Sequence, residues 1–106
     1  MAAKASETGP PASSEANAGQ PTKEEVQIGF GDAVRALRSD AELTQEQLAA
    51  SSEMHVTYIS QIERGLKNVS LFNLYRIASA LEISPARLLE EAARHQAGSV
   101  KHSAGR

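Results

Sequence analysis

The residues of this chain best suited to chemistry lie in the stretch MHVTYISQIERG, from Met54 to Gly65. At the 100° step of an α-helix, Ile59 and Ile62 fall on one side, and Thr57, Ser60, Gln61 and Arg64 fall opposite them. Two hydroxyls, an amide and a guanidinium can donate and accept hydrogen bonds, but they assemble no nucleophile, base or metal cage. A face of this kind recognises a partner rather than transforming it.

The rest of the sequence offers catalysis little. The 106 residues include no cysteine, which removes thiolate nucleophiles, disulfides and cysteine-ligated metals. His55 has no second histidine or paired carboxylate at ligand spacing, so a helix cap or a contact to a partner suits it better than a metal or proton-transfer role. His95 and His102 read as solvated. Glu24 with Glu25, and Glu90 with Glu91, are adjacent and diverge by 100° on a helix, so they do not act together as acid and base. Gly29 and Gly31 follow no strand, as a phosphate-cradling loop would require, and read as the frayed start of a helix. The expectation is a non-enzyme with no catalytic residue, no metal site and no cofactor.

The elements that must position the 54–65 stretch can be read from composition and period. A chain of this length holds one small domain, and a formal net charge of -2 argues against a broad polycationic surface. No apolar stretch approaches a membrane span and no secretory signal is recognisable, so a cytoplasmic protein without membrane contact is expected. Residues 1–24 contain no branched aliphatic or aromatic side chain and are expected to form a disordered arm. A domain over 25–95 and a flexible tail over 96–106 complete the expected organisation.

Within the domain the apolar residues recur at helical spacing, which predicts an all-α fold of five short helices. The first spans about 26–40 and buries Phe30, Ala33, Val34 and Leu37. Thr44 caps the second, and Gln47 three places on completes a capping box; this helix ends near Ser52. The third runs from about 56 to 64 and stops at Gly65, the residue best able to take a left-handed C-terminal conformation. Ser70 caps a fourth in which Leu71, Leu74, Ile77, Ala78 and Leu81 share a face. Ser84 and Pro85 open the fifth, with Leu88 and Leu89 on its apolar side. Only residues 53–55 separate the second and third helices, so the two must cross steeply as a helix-turn-helix. Ala49 allows the close crossing, and Leu48, Met54, Ile59 and Ile62 supply the shared contact.

In this order and spacing, LTQEQLAA, YISQIERG, NVSLFNLYRIASALEIS and PARLLE resemble the phage repressor and Cro type of helix-turn-helix regulator, also called xenobiotic-response-element-like. The resemblance covers about residues 26–92, and TYISQIERGLKNVSL is most similar to the controller proteins of restriction-modification systems. It implies a five-helix lambda-repressor-like domain whose third helix enters the major groove of double-stranded DNA, on a two-fold symmetric operator bound by a homodimer. By motif position, Val56, Thr57, Ser60 and Gln61 would read base edges. Thr44, Gln45, His55, Tyr58, Arg64, Lys67 and Asn68 would hold the DNA backbone, the first two at the N-terminal end of the second helix. Arg38 and Glu63 match a pair that bridges the first and third helices.

The chain departs from this pattern in three respects. Glu42 and Glu53 stand where glycine is frequent, which places glutamates at turns that commonly use left-handed backbone angles. His55 replaces the usual Ser or Thr cap of the third helix. Residues 26–97 carry seven Lys or Arg against nine Asp or Glu, so phosphate contacts per subunit must be few and dimerisation close to a requirement. Leu71, Phe72, Ile83, Leu88 and Leu89 are too many for so small a core to hide, and the residue of them left outside would form a dimer surface. RNA polymerase or a regulatory protein is a further candidate partner. The rival reading is a protein-interaction module, an antitoxin or adaptor, in which DNA binding is secondary; the acidic balance favours it.

Overall fold

The computed structural model describes residues 19–105, with side chains described through residue 96. Most of the expected N-terminal arm, residues 1–18, lies outside the described residues. Five helices follow in order: α1 (Lys23–Asp40), α2 (Gln45–Ser52), α3 (Val56–Glu63), α4 (Leu71–Ala80) and α5 (Pro85–Gly105). The described residues contain no strand.

Helix α1 starts three residues earlier than its apolar stripe suggests. Thr22 accepts a hydrogen bond from the Glu25 N–H, and the Glu25 carboxylate accepts one from the Thr22 N–H, a capping box that extends the helix beyond its buried face. Thr44 and Gln47 make the same reciprocal bonds at α2, as the sequence predicts. Ser70 and Ser84 accept from the N–H groups of Asn73 and Arg87. At the other end, α5 continues to Gly105, past Gln96 where the composition suggests a flexible tail.

The core gathers Phe30, Val34 and Leu37 from α1, Leu48 and Ala49 from α2, Ile59 and Ile62 from α3, Leu74, Ile77, Ala78 and Leu81 around α4, and Leu88 from α5. Helix α1 packs along α5 and against α3, while α2 crosses α3 and meets α4. One expectation needs correction. Leu71 does not share the buried face of α4 but is 68% exposed, because the first turn of that helix projects beyond the core. Of the five apolar residues too many to hide together, Leu88 is fully buried and Ile83 partly so, while Leu71, Phe72 and Leu89 are left exposed, as expected of a surplus.

The glycines of α1 also differ from expectation. They mark close approach rather than fraying, since both are buried well inside the helix. A Cβ on Gly29 would stand 2.7 Å from the Cβ of Gln96 in α5, and one on Gly31 would overlap the carbonyl oxygen of Ile62.

Four helix ends share one design. At the ends of α1, α2, α3 and α4, a left-handed residue donates its N–H to one carbonyl, and the apolar residue after it donates to the carbonyl one position earlier. The apolar residues are Leu43, Met54, Leu66 and Ile83; Leu43, Met54 and Ile83 fold back onto the core. Gly65 takes the left-handed position after α3 at φ 76°. Glutamates take the other three: Glu42 and Glu53, as the sequence suggests, and also Glu82, all with φ of 60–61°. A side chain with a Cβ pays roughly 1 kcal/mol or more in this conformation. Replacing Glu42 and Glu82 with glycine is therefore expected to stabilise the domain by about 1 kcal/mol at each site, less a part lost to unfolded-chain entropy. Thermal melts check this: a melting temperature higher by several degrees is expected for the double variant, and no rise would show that the turns relieve the strain another way.

Candidate nucleic-acid interface

Helix α3 is anchored by Ile59 and Ile62, which are 0% and 1% exposed. The helix period then fixes what faces outward: Val56 and Thr57 are exposed, and Ser60 and Gln61 are half-buried at the edge of the same face. Among the described residues, none closes this face: Val56 and Thr57 stand open, and Ser60 and Gln61 keep part of their surface accessible. Residues 53–55 form the turn from α2, with Glu53 left-handed and Met54 tucked against the core, so that α3 leaves α2 at a steep crossing.

A buried ion pair sets the position of α3. The Glu63 side chain is 1% exposed, and both its oxygens are held by Arg38 of α1, at 2.6 Å from Nε and 2.9 Å from Nη2. Arg38 also donates to the Leu43 carbonyl at 2.8 Å, and Gln45 Nε2 donates to Glu63 Oε1 at 3.0 Å. The hydrogen bonds to Glu63 hold the Arg38 guanidinium above its ordinary pKa. Arg35 adds a hydrogen bond to the Glu63 backbone carbonyl at 3.4 Å. Helices α1, α2 and α3 thus meet at one carboxylate.

Several of the residues expected at the DNA backbone also have partners within the chain. Gln45 directs its amide nitrogen inward to Glu63, and Thr44 accepts the α2 cap bond from Gln47, although its hydroxyl hydrogen remains available at an exposed site. Tyr58 is half-buried, packs against the core and receives a hydrogen bond from Asn73 at 3.3 Å. His55 occupies the cap position of α3 but accepts no cap hydrogen bond, so the first N–H groups of that helix keep open valences beside an exposed imidazole. Arg64, Lys67 and Asn68 are all exposed, just past the end of α3.

The charge distribution follows the same geometry. Arg76 pairs with Glu53 at 3.1 Å, and Arg87 and Arg94 both pair with Glu91, at 3.3 and 3.0 Å. Arg35 lies 3.9 Å from Glu63. Apart from Lys23 at the start of α1, the cations without a carboxylate partner among the described residues are Arg64 and Lys67. In a domain that is net negative, free positive charge is concentrated where α3 ends. Arg38 and Glu63 pair as the resemblance implies; the inward turn of Gln45 and the approach of Arg35 to the same glutamate are what sequence reasoning missed, and a glutamate on the apolar side of an amphipathic helix was the available signal.

Among the described residues, no group of three or more His, Asp or Glu is placed to hold a metal ion, and no helix is long and apolar enough to cross a membrane.

Comparison with known proteins agrees with this geometry. A helix-turn-helix family model matches residues 34–88. The control protein C.BamHI of Bacillus amyloliquefaciens is 46% identical over 66 residues, covering 61% of this chain and 82% of that protein. The restriction-modification controller protein C.AhdI of Aeromonas hydrophila superposes with a TM-score of 0.58 at 42% identity, over 58% of this chain and 94% of that one. The controller C.Esp1396I, solved as a tetramer with its natural 35-base-pair operator, gives a TM-score of 0.63 at 30% identity, over 67% of this chain and 93% of its own. These relatives support the regulator reading and provide no counterpart for the interaction-module alternative. The chain belongs to the helix-turn-helix family that includes the control proteins of restriction-modification systems.

Proposed function

We propose that this chain is a sequence-specific DNA-binding transcriptional regulator, not an enzyme, which works in the cytoplasm by placing the outer face of α3 in the major groove. The observation that carries this is an accessible polar face on α3 followed by two cations, Arg64 and Lys67, that have no carboxylate partner among the described residues. Gln61 can make a bidentate pair with adenine, Thr57 and Val56 can touch a thymine methyl, and Ser60 can donate or accept. Arg64, Lys67 and Asn68 hold phosphates beyond the helix, and the N-terminal ends of α2 and α3, with Thr44 and His55, offer N–H groups to others. Gln45 contributes by fixing α2 to Glu63, and Tyr58 by steadying the α3–α4 junction.

Two variants separate readers from clamps. Gln61→Ala is expected to cost about 1–2 kcal/mol on the preferred sequence and to relax the choice at one base pair per half-site. Lys67→Ala should weaken binding to all sequences alike and flatten the salt dependence by about one unit. Gel shifts over a range of salt measure both, and uniform losses in the two variants would contradict the division.

With so few clamps per subunit, a homodimer supplies the affinity that a monomer lacks. Leu71, Phe72 and Tyr75 line one side of α4, 54–69% exposed, and give the C-terminal half a surface for two-fold contact. Sedimentation at micromolar concentration is expected to show twice the mass of one chain. A single-chain species that also binds DNA singly would refute the dimer.

A further inference from the structure

A groove of about 220 Å³ opens between the first turns of α1, the connection after α3, α4 and α5. Val26, Phe30, Val69, Leu74 and Leu89 make its wall, and Lys67 is the one charged residue among the described residues that line it. Val26 and Leu89 are 44% and 50% exposed, so apolar surface inside the groove stands in water. Gln27, at its edge, donates to the Gly65 carbonyl at 3.1 Å and ties α1 to the segment that carries Lys67.

We infer that this groove is a binding site for a small monocarboxylate with an aliphatic or aryl body, whose carboxylate pairs with Lys67. Charge complementarity selects the class: an apolar cavity with a cation and no carboxylate in its described lining accepts an amphipathic anion and repels an amphipathic cation. Size sets the limit at on the order of ten non-hydrogen atoms, since a cavity of about 150 Å³ takes benzene. Burying the exposed faces of Val26 and Leu89 drives the association. A ligand of this size binds with a dissociation constant on the order of 100 µM. The consequence for DNA rests on the proposed regulator function: Lys67 paired with a carboxylate is lost to phosphate, so the ligand and DNA oppose each other.

The test uses the full chain, labelled with ¹⁵N and titrated with octanoate and, as the uncharged probe, octan-1-ol. Octanoate is expected to shift the amide signals of Lys67, Val69, Leu89 and Ala93. Lys67→Ala should weaken octanoate about tenfold and leave octanol unchanged, as loss of a charge-assisted contact requires. Ala93→Phe, which fills the groove from an exposed position outside the DNA-contact set, should abolish both. Saturating octanoate should weaken DNA binding by the native chain about fivefold and that of Ala93→Phe not at all. Equal binding of octanoate and octanol, or no shift up to about 10 mM, overturns the site. Broadening of the groove signals with protein concentration alone would make a second copy the occupant and also overturn it. Full octanoate occupancy with unchanged DNA affinity overturns the coupling, whereas octanoate bound as expected by a chain that fails to bind DNA supports the groove and refutes the regulator function.

Discussion

Replacing Arg38 with leucine is expected to destabilise the domain by about 3 kcal/mol, the scale seen when one partner of a buried ion pair is removed. Glu63 is the reason. Its side chain is 1% exposed, and in the variant it keeps only the amide of Gln45 and a distant guanidinium from Arg35 as polar neighbours. An ionised carboxylate left in that environment loses most of its solvation without compensation. For a domain of this size the loss corresponds to a melting temperature lower by about 15 °C. The pair itself contributes much less than this figure, because an apolar replacement of both members avoids the desolvation. The double variant Arg38→Leu with Glu63→Leu is therefore expected to recover more than half of the lost stability. Denaturant titration of the two variants measures this, and an Arg38→Leu variant that loses less than about 1 kcal/mol would show that Glu63 is solvated in the native fold.

Gly31→Ala is expected to cost a net 2–3 kcal/mol or so, although alanine is the better helix former by about 1 kcal/mol. The added methyl would overlap the Ile62 carbonyl oxygen and lie 3.0 Å from that of Glu63. Neither oxygen can swing aside easily, because the Gly65 N–H holds the first at 2.9 Å and Arg35 donates to the second. The clash moves α3 as a body, so DNA affinity should fall in the molecules that remain folded. Gly29→Ala is the comparison. Its methyl meets Gln96 of α5 and no atom of α3, and is expected to lower stability by about 1 kcal/mol while leaving DNA affinity unchanged. Equal effects of the two variants on DNA binding would argue that α1 does not set the position of the recognition helix.

These two residues also show where sequence reading reached its limit. Helix existence, the α2 capping box, the left-handed Gly65 and the inward isoleucines of α3 are local properties, set by neighbours three or four residues away, and they could be read directly. The pair between Arg38 and Glu63 came from family resemblance, since residues 25 positions apart leave no periodic trace. Gly31 was misread for a related reason: a glycine that permits close packing and one that frays a helix look alike until the opposing backbone is known. The same holds for Gln45, whose amide turns to Glu63 only because α1 and α3 bury that carboxylate beside it. Glu82 went unnoticed because the left-handed turn after α4 carries no glycine signal in its sequence.

The central claim is that the outer face of α3 reads duplex DNA. Selection of bound sequences from a random duplex pool tests it most directly, run in parallel with the native chain and with Gln61→Ala. The expected native result is a palindromic consensus with half-site centres roughly 10 base pairs apart, and the variant should lose preference at one symmetric pair of positions while keeping the rest. No enriched sequence, or a consensus that Gln61→Ala leaves unchanged together with variants at Thr57 and Ser60, would contradict it.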